Sequence, residues 1–441
     1  MNHVLIYVDK TTNRLQYIFD FIIGNLLGLQ SEFTSDKEKF NQHSGAKFSY
    51  CSEPLADEIF FQSSVLLFET NLRPQPINFC EHGRLQGFYP VYHSQTVLPF
   101  DIFSSAFFML TRYEEYLTNK KDKYDRYRGS QSMNYKAGFL EKPMINYYAI
   151  ELKKILLVKF PSLVFARHKF SYTATFDIDM AYSYLHKGFK RNFGGFVRSI
   201  MLSKMDEVRE RFAVLTKARR DPFDTYDYIF QICEKYNIPT VFFFLLGDQS
   251  RFDKNIPYDN PEFQSLIRSI HQKTKTGIHL SFKSHIGNKQ TEMEINRLQE
   301  ITTSPALLNR FHYLRFNIPS SFARLVKMGI KEDFSMGYPG RIGFRTGTCH
   351  PHYFFNVKTN EITDLKIVPF AFMDTTFTHY LRINPEQSIE KIRALMARIK
   401  EVEGPMVGLW HNSSLTNRDE WKGWKKNFEE IAQEASELTA S

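Results

Sequence analysis

The second half of the chain predicts an α/β fold built on a parallel sheet, and three observations predict it. From Phe170 onward, short apolar runs of strand length alternate with stretches of helical periodicity, for example 223–236 and 290–301. The apolar runs end in polar residues, with Asp177, Asp179, His279, Arg315 and His411 all near such ends. In a barrel of alternating strands and helices, chemistry sits on the loops at strand C-terminal ends. The pattern suits either a doubly wound sheet or a closed barrel.

The strands are expected at 172–179, 240–246, 277–282, 310–316, 342–347, 367–373 and 406–412. Ahead of them, residues 3–8 (HVLIYV) read as a buried strand and 14–29 as a helix. Residues 31–46 read as an exposed loop and 57–72 as a further strand-like run. The segment 100–117, FDIFSSAFFMLTRYEEYL, repeats Phe and Leu at helical spacing, and 142–157 predicts another helix. Its Glu114 and Glu115 beside Arg112 read as a solvated face rather than a catalytic pair. These elements predict a smaller N-terminal α/β domain, 1–165, of unknown role, followed by a larger α/β domain, 166–441.

A chain of 441 residues exceeds the usual single-domain size, and 42% hydrophobic residues supply a large core, so two folded domains are expected rather than disorder. The net charge of +9 comes without a long Lys/Arg run or a recognised nucleic-acid motif, which argues against a nucleic-acid partner. Cys51, Cys80, Cys233 and Cys349 are scattered, so reduced thiols are expected. The start, MNHVLIYVDK, has no basic region before a long apolar one, so no leader is expected and the protein is placed in the cytoplasm. The apolar stretch 19–29, broken by Gly24, Asn25 and Gly28, falls short of a membrane span. Residues 183–222 are rich in Lys and Arg. They read as a helical excursion, solvated or forming a basic lip over an anionic substrate or membrane surface.

The chemistry-bearing residues begin with Thr175-Phe176-Asp177-Ile178-Asp179. Two carboxylates at the end of a buried strand are costly unless paired or bound to a cation. His279, inside GIHLSF, becomes a plausible ligand when a carboxylate lies on a neighbouring strand, since imidazole and carboxylate suit zinc and similar ions. His285 offers a second imidazole from the following loop. Arg315 and Asp333 are each half of an ion pair or an orienting group. His411, in LWHN at the end of the last strand, suits a general acid because its charge changes near neutral pH. Cys349, His350 and His352 read as loop and packing residues.

The order of these segments, TFDID, GIHLSF, LRFNIP and LWHN, resembles the polysaccharide deacetylase family, carbohydrate esterase family 4, over about residues 170–430. The first half resembles the N-terminal domain of a subgroup of these proteins in Bacteroidetes-type bacteria. The resemblance implies a distorted (β/α) barrel and a metal-dependent hydrolase that removes acetyl groups from a sugar or polysaccharide precursor. The divalent metal would be zinc, with cobalt, nickel or manganese as alternatives. Asp177 would be the general base, His411 the general acid, and Asp179 and His279 metal ligands. Arg315 would orient Asp177, Asp333 would tune His411, and Trp410, Ser281 and Tyr338 would meet the substrate. The sequence departs from the family pattern twice. Ile178 separates aspartates that are usually adjacent, and Lys283 stands where a second His is usual. His285 or a water is then the candidate third ligand, and a catalytically inactive glycan-binding protein is the alternative reading. The partners implied are an acetylated carbohydrate and an anionic membrane surface or lipid-linked glycan.

Overall fold

The computed structural model describes residues 2–440. The first half is built on a four-stranded parallel sheet, β1 (His3–Val8), β2 (Gln30–Thr34), β3 (Lys47–Cys51) and β4 (Phe60–Gln62), in the order β2-β1-β3-β4. A small antiparallel hairpin follows, β5 (Phe79–His82) and β6 (Leu85–Phe88). The helix α1 (Ile102–Leu110) is buried on every face. Its start is set by Asp101, whose carboxylate accepts the N–H groups of Phe103 and Ser104. A longer helix, α2 (Met144–Lys159), closes this half.

The second half is a nine-stranded sheet: β7 (Ser171–Ile178), β8 (Thr240–Phe244), β9 (Lys275–Leu280), β10 (Leu308–Phe311), β11 (Glu332–Asp333), β12 (His352–Asn356), β13 (Glu361–Ile367), β14 (Phe372–Met373) and β15 (Pro405–His411). Its order is β12-β13-β11-β10-β9-β8-β7-β15-β14, parallel throughout except for the β12–β13 pair. The sequence suggested a distorted barrel. The two ends of this sheet, β12 and β14, are not paired to each other among the described residues. Strand 310–316 ends early, at Phe311, and 342–347 is not a strand. The run 367–373 is split between β13 and β14. The excursion after β7 forms two helices, α3 (Phe189–Met201) and α4 (Met205–Leu215).

Alternation explains why polar side chains survive in such apolar strands. Thr175 and Asp177 share one face of β7, and Phe176 and Ile178 share the other. The register then aligns His411 with Asp177 across β15–β7 and Arg310 with His279 across β10–β9. All four lie toward the C-terminal ends of their strands.

The hydrophobic core runs through both halves without a break. Tyr17 and Phe107 pack on Phe355, at ring-centroid distances of 5.0 and 5.3 Å. Beside them lies a buried charge cluster, and here Glu115 differs from the solvated face its sequence suggested. Glu115 bonds Arg112 of its own half at 2.8 Å and Arg345 of the other at 2.6 Å, with all three side chains at most 5% exposed. Arg112 also donates to the Arg345 carbonyl. Removing the carboxylate by Glu115→Ala would leave two guanidinium groups without their shared acceptor. The expected loss is about 3–5 kcal/mol in denaturant titration.

Cys349, His350 and His352 are packed at the same junction. Asn146 spends its carbonyl oxygen on Thr348 and donates its N–H to Nδ1 of His350, which holds that nitrogen unprotonated. Burial, with the nearby charge of His168, lowers the His350 imidazole from 6.5 to about 4, and burial lowers His352 to about 4. Between those values the unfolded chain binds more protons than the folded one. These two groups therefore remove stability as pH falls from 6.5 toward 4. His350→Gln should flatten the fall in melting temperature over that range.

Candidate active site

Side chains from five strand ends and several loops meet in a cavity of about 350 Å³. Asp177 is anchored from within the sheet, where Arg310 donates to its Oδ1 at 2.8 Å while also holding Thr175 Oγ1 and the Phe334 carbonyl. Its other oxygen, Oδ2, lies 3.6 Å from His279 Nε2. Asp179, one residue past the end of β7, lies 3.2 Å from His279, 3.5 Å from His312 and 3.8 Å from His411, each measured to Nε2.

The three imidazoles are each aimed by a partner on Nδ1. His279 bonds the Arg310 carbonyl at 2.9 Å; a carbonyl only accepts, so Nδ1 carries a proton and Nε2 is the ring atom turned toward Asp179. His312 bonds Asp253 at 2.9 Å, and His411 bonds Asp374 at 2.7 Å. Asp374 also accepts the backbone N–H of His411, which locks the ring to the strand.

Charge in this group is concentrated on oxygen. Burial raises the Asp179 carboxyl, but the charge of His312, bonds from His279 and His312 and the charge of His411 outweigh it and hold the carboxyl well below its ordinary range. Burial lowers His312 and His411, yet Asp179 and Asp253 lift the first to about 10, and Asp374, followed by Asp179 and Asp177, lifts the second to about 9. A field that raises two imidazoles so far also favours a cation among them.

The donor set fits a divalent metal. Ligand atoms of Asp179, His279 and His312 all lie within 4.8 Å of one another, and Asp179 Oδ1 is buried without a hydrogen-bond partner. One carboxylate and two imidazoles are zinc-type ligands. The carbonyl and carboxylate behind the two rings are the outer partners such ligands require.

Several sequence-predicted residues lie elsewhere. Arg315 does not reach Asp177; it donates to the Phe282 carbonyl and pairs with Asp125 at 3.5 Å, and Arg310 takes the place it was expected to fill. Asp333 does not meet His411. It is buried on β11 against Asn309 and Ser335, and burial raises it to about 6 despite those bonds. His285 turns away, its ring bonded to the Phe282 carbonyl and 3.4 Å from Asp125, so His312 completes the donor set. Lys283 is exposed. Of the expected substrate contacts, Trp410 is fully buried, its indole N–H donated to Tyr172. Ser281 is bonded to Glu294, and Tyr338 is buried between Arg112 and Arg345. The aromatic side chains that do line the cavity are Phe223, Phe252, Phe311, Tyr313, Tyr380 and Trp421.

Sequence reasoning missed Arg310, His312, Asp374 and Asp253. The first two lie in RFHYLRF, read as one strand through 316; the chain turns after Phe311, with Tyr313 and Leu314 at φ of 61° and 54°. Left-handed backbone at two bulky residues costs of order 1–3 kcal/mol each, and such strain clusters at functional sites. Asp374 directly follows an apolar run, the same signal that marked Asp177. Asp253 lies in a loop with no such signal.

A family model described as a family of unknown function, DUF7033, matches residues 4–161. No curated protein matches the chain. Among solved structures, the chain is similar to a protein of Mycobacterium smegmatis assigned as a polysaccharide deacetylase. That match has 14% identity and a TM-score of 0.38, covering 62% of this chain and 91% of that one. It is similar to a mutant of a CE4-family pseudoenzyme with restored activity, at 11% identity and a TM-score of 0.31, covering 61% and 63%. A third is the CE4 domain of a multidomain xylanase from the hindgut metagenome of Trinervitermes trinervoides, at 10% identity and a TM-score of 0.29, covering 62% and 90%. At these scores the likeness carries no argument about function, which rests on the residues described above.

Metal-stripped protein is expected to take up about one zinc ion per chain, as a single donor set implies. Asp179→Ala and His312→Ala should abolish uptake in calorimetry, and His285→Ala should not. Asp253→Ala should weaken binding by about 10–100-fold.

Proposed function

We propose that this chain is a metal-dependent hydrolase that removes acetyl groups from an acetylated sugar or polysaccharide precursor in the cytoplasm. The observation that carries the reading is the pairing of the Asp179–His279–His312 donor set with an anchored carboxylate, Asp177, on one side and an Asp374-held imidazole, His411, on the other. A donor set with a free carboxylate and a separate proton donor is what metal-assisted hydrolysis needs. The aromatic lining fits the flat apolar faces of a sugar ring.

A divalent ion bound there, zinc first among the candidates, supplies Lewis acidity, polarising a carbonyl and acidifying water near neutral pH. Arg310 holds Asp177 through Oδ1 and leaves Oδ2 to take the proton from an attacking water. Water adds to the acetyl carbonyl carbon, the bond from that carbon to the sugar nitrogen breaks, and acetate leaves. His411 donates its Nε2 proton to the departing nitrogen, while Asp374 keeps the other ring proton on Nδ1 and fixes the ring's orientation. The enclosing Phe and Tyr side chains limit bulk water around these groups.

Zinc-loaded protein should release acetate from acetylated amino sugars. Asp177→Asn and His411→Ala should each lower kcat by about 10²–10⁴-fold with zinc uptake retained. Glycan binding without acetate release, from protein shown to hold zinc, would instead identify a catalytically inactive glycan-binding protein.

A further inference from the structure

The helices α3 and α4 stand outside the core yet are fixed to it. Asp221, itself buried, accepts the backbone N–H groups of Ser183, Tyr184 and Leu185 and so closes the neck of the excursion. Arg191, in the first turn of α3, donates to the carbonyls of Lys254 and Asn255. Lys254 lines the cavity, so the helical pair is held beside its mouth.

Its outer surface is unusual in two ways. Phe189, Phe193, Val197, Ile200 and Met201 are exposed along one stripe of α3, Phe189 by 82% and Met201 by 79%. Leu202 and Met205 continue the stripe, and Phe212 is exposed on α4. Nine of the 22 exposed large hydrophobic side chains among the described residues fall within 189–215, a concentration that marks an interaction surface rather than scattered exposure. Residues 187–220 also carry ten Lys and Arg against three Asp and Glu, a net +7 of the chain's +9. Lys190 and Arg198 are exposed on α3 itself.

We infer that α3 and α4 form a membrane-docking element that lies flat on an anionic bilayer. Phe189, Phe193 and Met201 enter the acyl boundary, and the surrounding Lys and Arg meet the headgroups. The charge selects this occupant. A symmetric contact with a second copy would set one net positive segment against another, and a nucleic acid would match the charge while leaving the apolar stripe uncovered. Among the described residues no helix is long and apolar enough to cross a membrane, so the contact is interfacial. This inference does not depend on the deacetylase reading, because it concerns surface residues outside the cavity.

The test is co-sedimentation of the full chain with phosphatidylcholine vesicles, with and without phosphatidylglycerol. Binding is expected only to the anionic vesicles and should weaken as salt rises. The variant Phe189→Ser/Phe193→Ser should lower vesicle affinity by about tenfold or more, and Lys190→Glu/Arg198→Glu should remove much of the salt-dependent part. Both pairs are exposed, so an unchanged melting temperature and zinc uptake would show an intact fold. Failure of the native chain to bind anionic vesicles would overturn the inference, as would equal binding by the Phe variant. A dimer seen by light scattering that the Phe variant abolishes, without vesicle binding, would assign the surface to a second copy instead.

Discussion

Two carboxylates in the cavity wall, Asp177 and Asp179, and two directly behind it, Asp253 and Asp374, set the arrangement of the rest of the site, because each needs a partner of opposite charge or an N–H donor. An unpaired buried charge costs several kcal/mol. Here each carboxylate has its own cationic or N–H partner: Arg310 for Asp177, His279 and His312 for Asp179, His312 for Asp253, and His411 for Asp374. Because His312 bridges Asp179 and Asp253, and His411 reaches from Asp374 toward Asp179, the partners form one chain of alternating sign. A change at either end alters the field at the other, so these residues act as a unit rather than as separable pairs.

The sheet makes that convergence possible. Parallel strands β7, β9, β10, β14 and β15 all end at the same edge, so a polar residue at or just past each end suffices to build a shell from chain segments far apart in sequence. The first half of the chain contributes to the same wall. Arg126, held by Asp122, donates to the Tyr313 carbonyl and to Tyr380, both residues of the cavity lining. Asp125 pairs with His285 and Arg315. With the core continuous across residue 165 and the Arg112–Glu115–Arg345 cluster bridging it, the N-terminal elements support the site's rim as well as their own sheet.

What was legible in the sequence was the residue that interrupts an apolar run at its end. Asp177, Asp179, His279 and His411 all carry that signature, and all four lie in the cavity wall. Arg310 and His312 carry it too, but only if the strand stops at Phe311, and the apolar letters of RFHYLRF hide the stop. Local pattern cannot show that Tyr313 and Leu314 adopt left-handed backbone there, because that conformation is imposed by tertiary packing. Arg315 was selected through the resemblance of its LRFNIP segment, and the guanidinium that holds Asp177 lies five positions earlier. Trp410 shows the opposite error. The family resemblance implied a substrate contact for it, but strand alternation turns it into the core against Phe372 and Phe428. Trp421, with no pattern around it, lines the cavity instead.

The two departures from the deacetylase-like pattern take on a common explanation in this geometry. A second imidazole four residues after His279 would sit on the turn following β9, where Lys283 now faces solvent. His312 supplies an imidazole from the end of the neighbouring strand, and Asp253 fixes its tautomer. Asp179 likewise reaches the two imidazoles although Ile178 separates it from Asp177, because it stands past the last residue of β7, where the backbone is released from strict alternation. A metal site is defined by where donor atoms lie, not by the spacing of letters that deliver them. A shell with ligand atoms within 4.8 Å of one another, backed by a carbonyl and a carboxylate, therefore weighs against reading Lys283 as the mark of a lost centre.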